Sequence, residues 1–279
     1  MTTDAAAARR LESESLKLLT EQVYSLTGYD FRDYALEALR PKVLEVARAE
    51  GLDGPDALRE KVLADPAALG RTVEALAWRP SSLFRTPEFF DTLRRFVFPL
   101  LKTYPSVRIW HAGCGTGEES YSLAIALREE GLLPRCRVYA TDLSGAAIRA
   151  AKAGAYPLDA LRGAAQAYAA AGGTGSLSDY YRVDGPLASL DPTLRERLVF
   201  SEHSLAADAS FNEFHLIVCR DLIPQFNRAL QERVYKLIDE SLCPFGLLAL
   251  GRKNTLRAHP LGLRLEAVPG ADTLYRKVR

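Results

Sequence analysis

The residues best suited to chemistry lie in one short run, HAGCGTGEE at 111 to 119, followed at a distance by Asp142 at the end of YATD. Glycines in such a run let the backbone turn tightly and approach a ligand closely. A dinucleotide fingerprint, G-x-G-x-x-G, would need a glycine at 118, where this chain has Glu118 followed by Glu119. Two carboxylates in a first helical turn repel the pyrophosphate that a dinucleotide site attracts to its helix N-terminus. A nucleoside with no phosphate and with a sulfonium and an α-ammonium, S-adenosylmethionine, suits those acids. Asp142 stands where an acid accepts hydrogen bonds from both ribose hydroxyls. Each acid also has a plainer reading: Asp142 as cap of the following helix, and Glu119 as complement to the helix dipole.

The elements that must position this run alternate. VRIWHAG reads as a strand, EESYSLAIALREEG as a helix, RVYATD as a second strand and GAAIRAAKAGAY as a second helix, an unbroken βαβα unit from Val107 to Tyr156. A looser Gly-, Ser- and Ala-rich stretch follows, a loop or small inserted subdomain at about 174–198. RLVFSEH, HLIVCRD and FGLLALGR read as further strands and NRALQERVYKLIDESL as a long helix. LRLEAV and TLYRKVR, separated by Pro269-Gly270, form a C-terminal hairpin. Before Pro80 the apolar residues return every three or four positions in LKLLTEQVYSLTG, YALEALRPKVLEVARAEG and DALREKVLADPAALGRTVEALA, with Asp56 placed to cap the third helix. The expected organisation is α/β, with an all-helical domain over 1–78 and the sheet domain over 79–279.

The 279 residues, 48% hydrophobic and 25% charged, suffice for two cores. A formal net charge of +1 provides no general field for nucleic acid. Cys114, Cys136, Cys219 and Cys243 form no CxxC pair, and His111, His203, His215 and His259 have no metal-ligand spacing, so neither a disulfide framework nor a metal site is expected. The N-terminal residues carry acids and no apolar stretch, and no run is long and apolar enough for a membrane span. A cytoplasmic protein is the expectation.

The chain resembles the CheR-type chemotaxis-receptor methyltransferases from about Leu18 to its C-terminus. IWHAGCGTGEESYSLAIAL is similar to that family's nucleotide motif, TDLSGAAIRAAKAGAY to its second-strand motif and FHLIVCRDLIPQFNRALQERV to its fourth-strand segment, with SLFRTPEFF upstream. The resemblance implies a Rossmann-like class I methyltransferase sheet beside a helical N-terminal domain. It implies S-adenosylmethionine as methyl donor, S-adenosylhomocysteine as product, no metal, and glutamate side chains of a chemoreceptor or related signalling protein as acceptor. Nucleic-acid partners and membrane insertion are not implied. Carried over by position, Arg85 matches the arginine beside the reacting centre, while Ser81, Arg85, Ala112, Gly113, Glu118, Asp142, Ser204, Leu205, Cys219 and Arg220 match cofactor contacts. Arg40, Lys42 and Arg48 lie in the region that meets an acidic receptor bundle; as charges alone they equally describe a solvated face.

A carboxylate is already ionised at neutral pH, so the implied esterification needs alignment rather than a general base. Arg85 can supply it with a planar two-donor fork, or it can serve the start of the helix at Thr86-Pro87-Glu88. Trp78 and Trp110 read as core or hinge packing. The chain departs from the family at several places: Arg79-Pro80-Ser81 for asparagine-x-threonine, Asp221 for an asparagine, Gln225 beside Pro224 for a tyrosine, CPFG for a proline-glycine-glycine turn, and GRKN for glycine-x-serine-glutamate. These changes gather at the transfer face and keep open a second reading, a cofactor-binding adaptor with impaired catalysis. A third reading, methylation of a small carboxylic acid, is independent of the N-terminal helices.

Overall fold

The computed structural model describes residues 2–79, 81–251 and 264–278, with side chains from Arg10 onward. Arg252, Lys253 and Asn254 of GRKN, Pro80 and Leu263 lie outside the described residues. Two compact units emerge: Met1–Trp78 with Ser204–Asp208 and Leu222–Val234, and Arg79–His203 with Ala209–Asp221 and Tyr235–Arg279. Among the described residues no helix is long and apolar enough to cross a membrane.

The first unit contains α1 (Thr2–Thr27), α2 (Leu36–Ala49), α3 (Pro55–Ala64) and α4 (Pro66–Ala77). Leu16, Leu19, Val23, Leu39, Val43, Leu58, Val62 and Leu76 form its buried faces, matching the helical spacing of the sequence. Two details differ from expectation. The run DALREKVLADPAALGRTVEALA is not one helix: Asp65 ends α3 and caps α4, accepting from Ala67 N at 2.9 Å, with Pro66 at the first helical position. Asp56 lies within α3 and accepts from Ser15 Oγ at 2.8 Å, leaving Gly54 at the N-cap.

The second unit begins with α5 (Pro87–Thr92), a π turn (Leu93–Val97) and α6 (Phe98–Leu101). Then come β1 (Val107–Ala112), α7 (Glu118–Glu129), β2 (Cys136–Asp142) and α8 (Gly145–Ala153). After β3 (Ala155–Pro157), α9 (Leu158–Gly163), α10 (Ala165–Ala170), β4 (Tyr181–Asp184), β5 (Leu187–Leu190) and α11 (Pro192–Arg195), the alternation resumes with β6 (Leu198–Glu202) and β7 (Phe214–Cys219). The chain closes with α12 (Arg228–Ser241), β8 (Leu242–Leu250), β9 (Leu265–Ala267) and β10 (Leu274–Lys277).

The main sheet has the order β6-β2-β1-β7-β8-β10-β9. The first five strands run parallel, and β10 pairs antiparallel with both β8 and β9, so the expected C-terminal hairpin forms. Val107, Ile109, Val138, Ala140, Leu216, Val218, Leu247 and Ala249 pack in the core with Leu123, Ala124 and Leu127 of α7. The central strands are buried along most of their length, as parallel strands covered on both faces must be. Strand order reverses between β1 and β7, and in open α/β sheets ligands bind in the crevice at the strands' carboxyl ends beside such a switch point.

The looser stretch forms a second sheet, β3-β5-β4, that starts earlier than 174 because Ala155–Pro157 joins it. Hydrogen bonds fasten this insertion to the nucleotide motif and to α7. Tyr156 Oη donates to Thr116 O at 2.7 Å, and Glu129 of α7 accepts from Tyr168 Oη and Thr174 N.

Gly117, the N-cap of α7, has φ +97°, and a Cβ there would stand 2.8 Å from Ala151 Cβ. Gly117→Ala therefore combines left-handed backbone strain with overpacking against α8, and is expected to lower unfolding free energy by about 2 to 4 kcal/mol. A reduced urea midpoint at unchanged slope is the measurement, and a midpoint equal to that of the natural protein contradicts it.

Candidate active site at the carboxyl ends of β1, β2 and β7

Ala112, Asp142 and Cys219 end three neighbouring strands, so the sheet itself brings them together. The turn leaving β1 is fixed by the end of β2. Thr141 O accepts from Gly113 N at 2.7 Å and from Cys114 N at 2.9 Å, and Asp142 Oδ2 accepts from Gly115 N at 2.9 Å. Gly113, Gly115 and Gly117 all have positive φ. A Cβ at Gly115 would meet nothing within 4 Å, so open space lies over that part of the turn. Asp142 Oδ1 accepts from Ser144 N at 3.0 Å, and the cap of α8 is Ser144, which accepts from Ala147 N at 3.1 Å. The plainer reading of Asp142 as that helix's cap thus goes to its neighbour.

Arg79 also reaches this carboxylate. Its Nη2 donates to Asp142 Oδ2 at 3.0 Å and to Gly113 O at 2.9 Å. Glu118, half-buried at the start of α7, accepts from Thr116 Oγ1 at 2.7 Å, and its carbonyl accepts from Ser122 Oγ. Ser122 in turn accepts from Phe84 N at 2.8 Å, which ties the segment before Arg85 to α7.

Glu119 does more than complement the helix dipole. It is buried, and its carboxylate joins His111 Nε2 at 3.3 Å to Arg220 Nη1 at 2.5 Å. The remaining imidazole nitrogen, His111 Nδ1, lies 2.7 Å from Ser120 Oγ; with Nε2–H given to Glu119, Nδ1 accepts from that hydroxyl. Burial pushes the Glu119 carboxyl up, but the His111 hydrogen bond and the Arg220 guanidinium outweigh it and hold the group below the usual glutamate range. Arg220 also stacks on the Phe89 ring, 4.1 Å from its centroid.

Arg85 lies between Phe84 and Thr86, both in left-handed backbone conformations at φ +54° and +64°. Non-glycine residues held there cost energy and gather at functional sites. Its Nη2 is 3.1 Å from Asp221 Oδ2 and 4.0 Å from Glu119 Oε2. Asp221 is itself at φ +55°, and a Cβ on Gly251 would come within 2.2 Å of its Oδ1, so the glycine is what lets this carboxylate lie close. The Arg85 side chain is 37% exposed, and its Nη2 pairs with Asp221.

Other expected positions distribute as follows. Ser81 is half-buried between Arg79 and the Arg85 turn. Cys219 is buried at the end of β7, and burial pushes its thiol up to about 12, so it is inert at neutral pH. His203 N donates to Asp142 O at 3.0 Å, which starts the following loop from the end of β2. Ser204 and Leu205 themselves group with the first unit, where Ser204 N donates to Asp208 Oδ2 at 2.8 Å and Leu205 is buried. Gln225 also belongs to that unit, its carbonyl accepting from Ala35 N at 2.8 Å. Arg40 pairs with Glu12 at 3.0 Å, and Lys42 Nζ donates to Leu76 O and Trp78 O, so two of the three helical cations serve their own unit. Trp110 is core, donating to Thr141 Oγ1 at 2.8 Å, whereas Trp78 is 62% exposed rather than packed. Tyr156, His111 and the pairing of Arg79 were not foreseen: Tyr156 lies 40 residues from its acceptor Thr116, and Arg79 63 from Asp142.

These groups fit S-adenosylmethionine on the structure's own terms. The turn is open over Gly115, the acids beside it suit a cationic ligand, and Arg79, Arg85 and Arg220 each keep a buried N–H without a partner among the described residues. Comparison with known proteins decides the family. The model of the CheR methyltransferase S-adenosylmethionine-binding domain matches residues 79–268. The chain belongs to the CheR methyltransferase family. It is 38% identical to the Pseudomonas putida protein Cher3, a methyltransferase by provisional name, over 94% of this chain and 96% of that one. It is 26% identical to the chemotaxis protein methyltransferase Cher2 of Pseudomonas putida, covering 90% and 92%, and 27% identical to chemotaxis protein methyltransferase 1 of Pseudomonas aeruginosa, covering 91% and 93%. The chain spans about half the length of the solved glycopeptide N-methyltransferase MtfA complexed with sinefungin, with 16% identity, 61% of this chain and 50% of that one covered and a TM-score of 0.38. The fold is that of class I S-adenosylmethionine-dependent methyltransferases, and the protein is an S-adenosylmethionine-dependent methyltransferase of the CheR family.

Glu119→Gln leaves Arg220 buried without its counter-charge and is expected to cost about 3 to 5 kcal/mol at pH 7. Because the Glu119 carboxyl titrates lower in the folded protein than in the unfolded chain, its contribution is present above the ordinary glutamate range and is lost as pH falls through the lowered value. Urea melts of both proteins at pH 7 and at successively lower pH should show the gap closing in acid; a gap that stays constant sinks the assignment.

Proposed function

We propose that this CheR-family protein transfers a methyl group from S-adenosylmethionine to glutamate carboxylates of a chemoreceptor or related signalling protein, giving γ-methyl esters. The observation that carries the reading is Arg85, a partly exposed guanidinium on a strained turn beside the switch point and already paired with a carboxylate. Two relatives named as chemotaxis protein methyltransferases, matched over nine-tenths of their length, support the receptor as substrate.

S-Adenosylmethionine, when bound, supplies an electrophilic methyl on a sulfonium. The residues that would hold it are Ala112, Gly113 and Glu118 at the turn, Asp142 at the ribose, Ser81 and Arg85 upstream, and Cys219 and Arg220 at the end of β7. Asp142 would accept from the ribose, and Glu118 would add negative charge near the ligand's cationic end. Arg85 receives the acceptor carboxylate with its two-pronged donor face and sets the direction of attack. No proton has to be removed, since a glutamate is ionised at neutral pH. Glu119 keeps Arg220 in place, and the Arg220 carbonyl-facing guanidinium, 3.4 Å from Arg85 O, supports the strained turn from behind. Residues 1–78 would serve as the domain that meets the receptor, and 79–279 as the transferase domain.

A second reading, an adaptor that keeps the cofactor fold with little turnover, draws on the same pair: Asp221 already occupies the face of Arg85 that a substrate carboxylate needs. The two readings separate in an assay of labelled methyl incorporation into receptor signalling fragments. Transfer to a base-labile product, reduced about 10²-fold or more in Arg85→Ala, is the expected result. Asp221→Asn, which removes the competing charge, should raise kcat/KM several-fold. Bound S-adenosylhomocysteine with no incorporation in either protein would establish the adaptor, and an Arg85→Ala rate equal to the natural one would remove Arg85 from the mechanism.

A further inference from the structure

Asp142 is already heavily used. An ionised carboxylate offers about four lone-pair positions. Here Oδ1 accepts from Ser144 N, and Oδ2 accepts from both Gly115 N and Arg79 Nη2. Three positions are taken, and a ribose diol donating through both hydroxyls needs two. Ser144 N and Gly115 N cannot be given up, because those bonds shape the start of α8 and the turn after β1. Arg79 is the donor that can leave: it is a long side chain, it belongs to neither the turn nor the strand, and only its Nη2 engages this site.

Arg79 is also well set to resist leaving. Its side chain is 17% exposed and Asp142's is 5%, so the pair is poorly screened by solvent. The same Nη2 holds Gly113 O, which binds the guanidinium to the turn as well as to the acid. We infer that Arg79 is a latch on the nucleoside site, an internal competitor that occupies the ribose-accepting face of Asp142 in the ligand-free protein and must swing away for S-adenosylmethionine to bind. The latch rests on the reading of this turn as the cofactor site, and it adds what that reading does not contain: a residue that lowers affinity for the nucleoside and makes binding a donor exchange on one carboxylate. In the corresponding place the family resemblance has asparagine, whose neutral amide cannot form an ion pair with Asp142.

Calorimetric titration with S-adenosylhomocysteine tests the latch without reference to turnover. Arg79→Asn is expected to bind roughly 10- to 100-fold tighter than the natural protein, the range set by losing one charged hydrogen bond. Arg79→Lys, which keeps the charge but not the forked donor, should fall between them. In an Asp142→Asn background, Arg79→Asn should bring no gain, because the competition is over that carboxylate. A thermal melt gives an independent reading: Arg79→Asn should melt lower than the natural protein without ligand, with Asp142 left unpaired, and the gap should shrink at saturating S-adenosylhomocysteine. If Arg79→Asn folds and binds with equal or weaker affinity, or if its gain survives in Asp142→Asn, the latch is overturned while the cofactor site stands. If no variant binds the nucleoside at all, the cofactor reading falls and the latch with it.

Discussion

Two adjacent residues at the end of β2 hold the turn on which the site depends. The Thr141 carbonyl takes two successive N–H groups of that turn, and the Asp142 carboxylate takes the next, that of Gly115. Neighbouring parallel strands already bring the ends of β1 and β2 side by side, with Ala112 opposite Thr141. Left-handed glycines then let three consecutive stretches of backbone face one acceptor strand, a geometry that side chains at those positions would strain. The turn is therefore set by backbone and one carboxylate before any ligand arrives, and open space over Gly115 follows from that arrangement.

Behind the turn, the buried carboxylate of Glu119 ties α7 to the ends of β1 and β7 at once, through His111 and Arg220. Burying such a network seldom adds net stability over an apolar core, since desolvation offsets most of the attraction. What it does add is position. Arg220 is held between Glu119 and the Phe89 ring and lies beneath the carbonyl of Arg85, so the strained turn rests on a charged group that cannot drift without exposing an unpaired ion. The insertion contributes in the same way from the other side, with Tyr156 holding the Thr116 carbonyl.

Local signals carried much of this. The βαβα unit was legible because its strands and helices follow one another without interruption and each shows its own local pattern, and the C-terminal hairpin because Pro269-Gly270 marks its turn. The break between α3 and α4 was misread because Asp-Pro looks like part of a helical run until Asp65 is seen as a cap. β3 escaped notice because three residues ending in proline form a strand only once β5, some thirty positions later, pairs with them. Glu119 reads as a dipole partner in the sequence because the cation it pairs with, Arg220, is 101 residues away. The pairing of Arg85 was hidden in the sequence for a similar reason: its carboxylate partner, Asp221, is 136 residues away.

The two charged departures from the family pattern are best understood together. Where the resemblance has asparagines, this chain has Arg79 and Asp221, of opposite sign, so the formal charge of the site is unchanged. Each pairs with a side chain of opposite charge: Arg79 with Asp142, and Asp221 with Arg85. A neutral amide at either place would leave that group available to a ligand, whereas an ion does not. On the proposed function, both the nucleoside and the acceptor carboxylate would exchange with an internal counter-ion, and the attraction that draws each reactant in would be reduced by what it displaces. Affinity at such a site is a difference between two similar ion contacts, which makes it responsive to single-charge changes at positions 79 and 221 in a way that an amide-lined site is not.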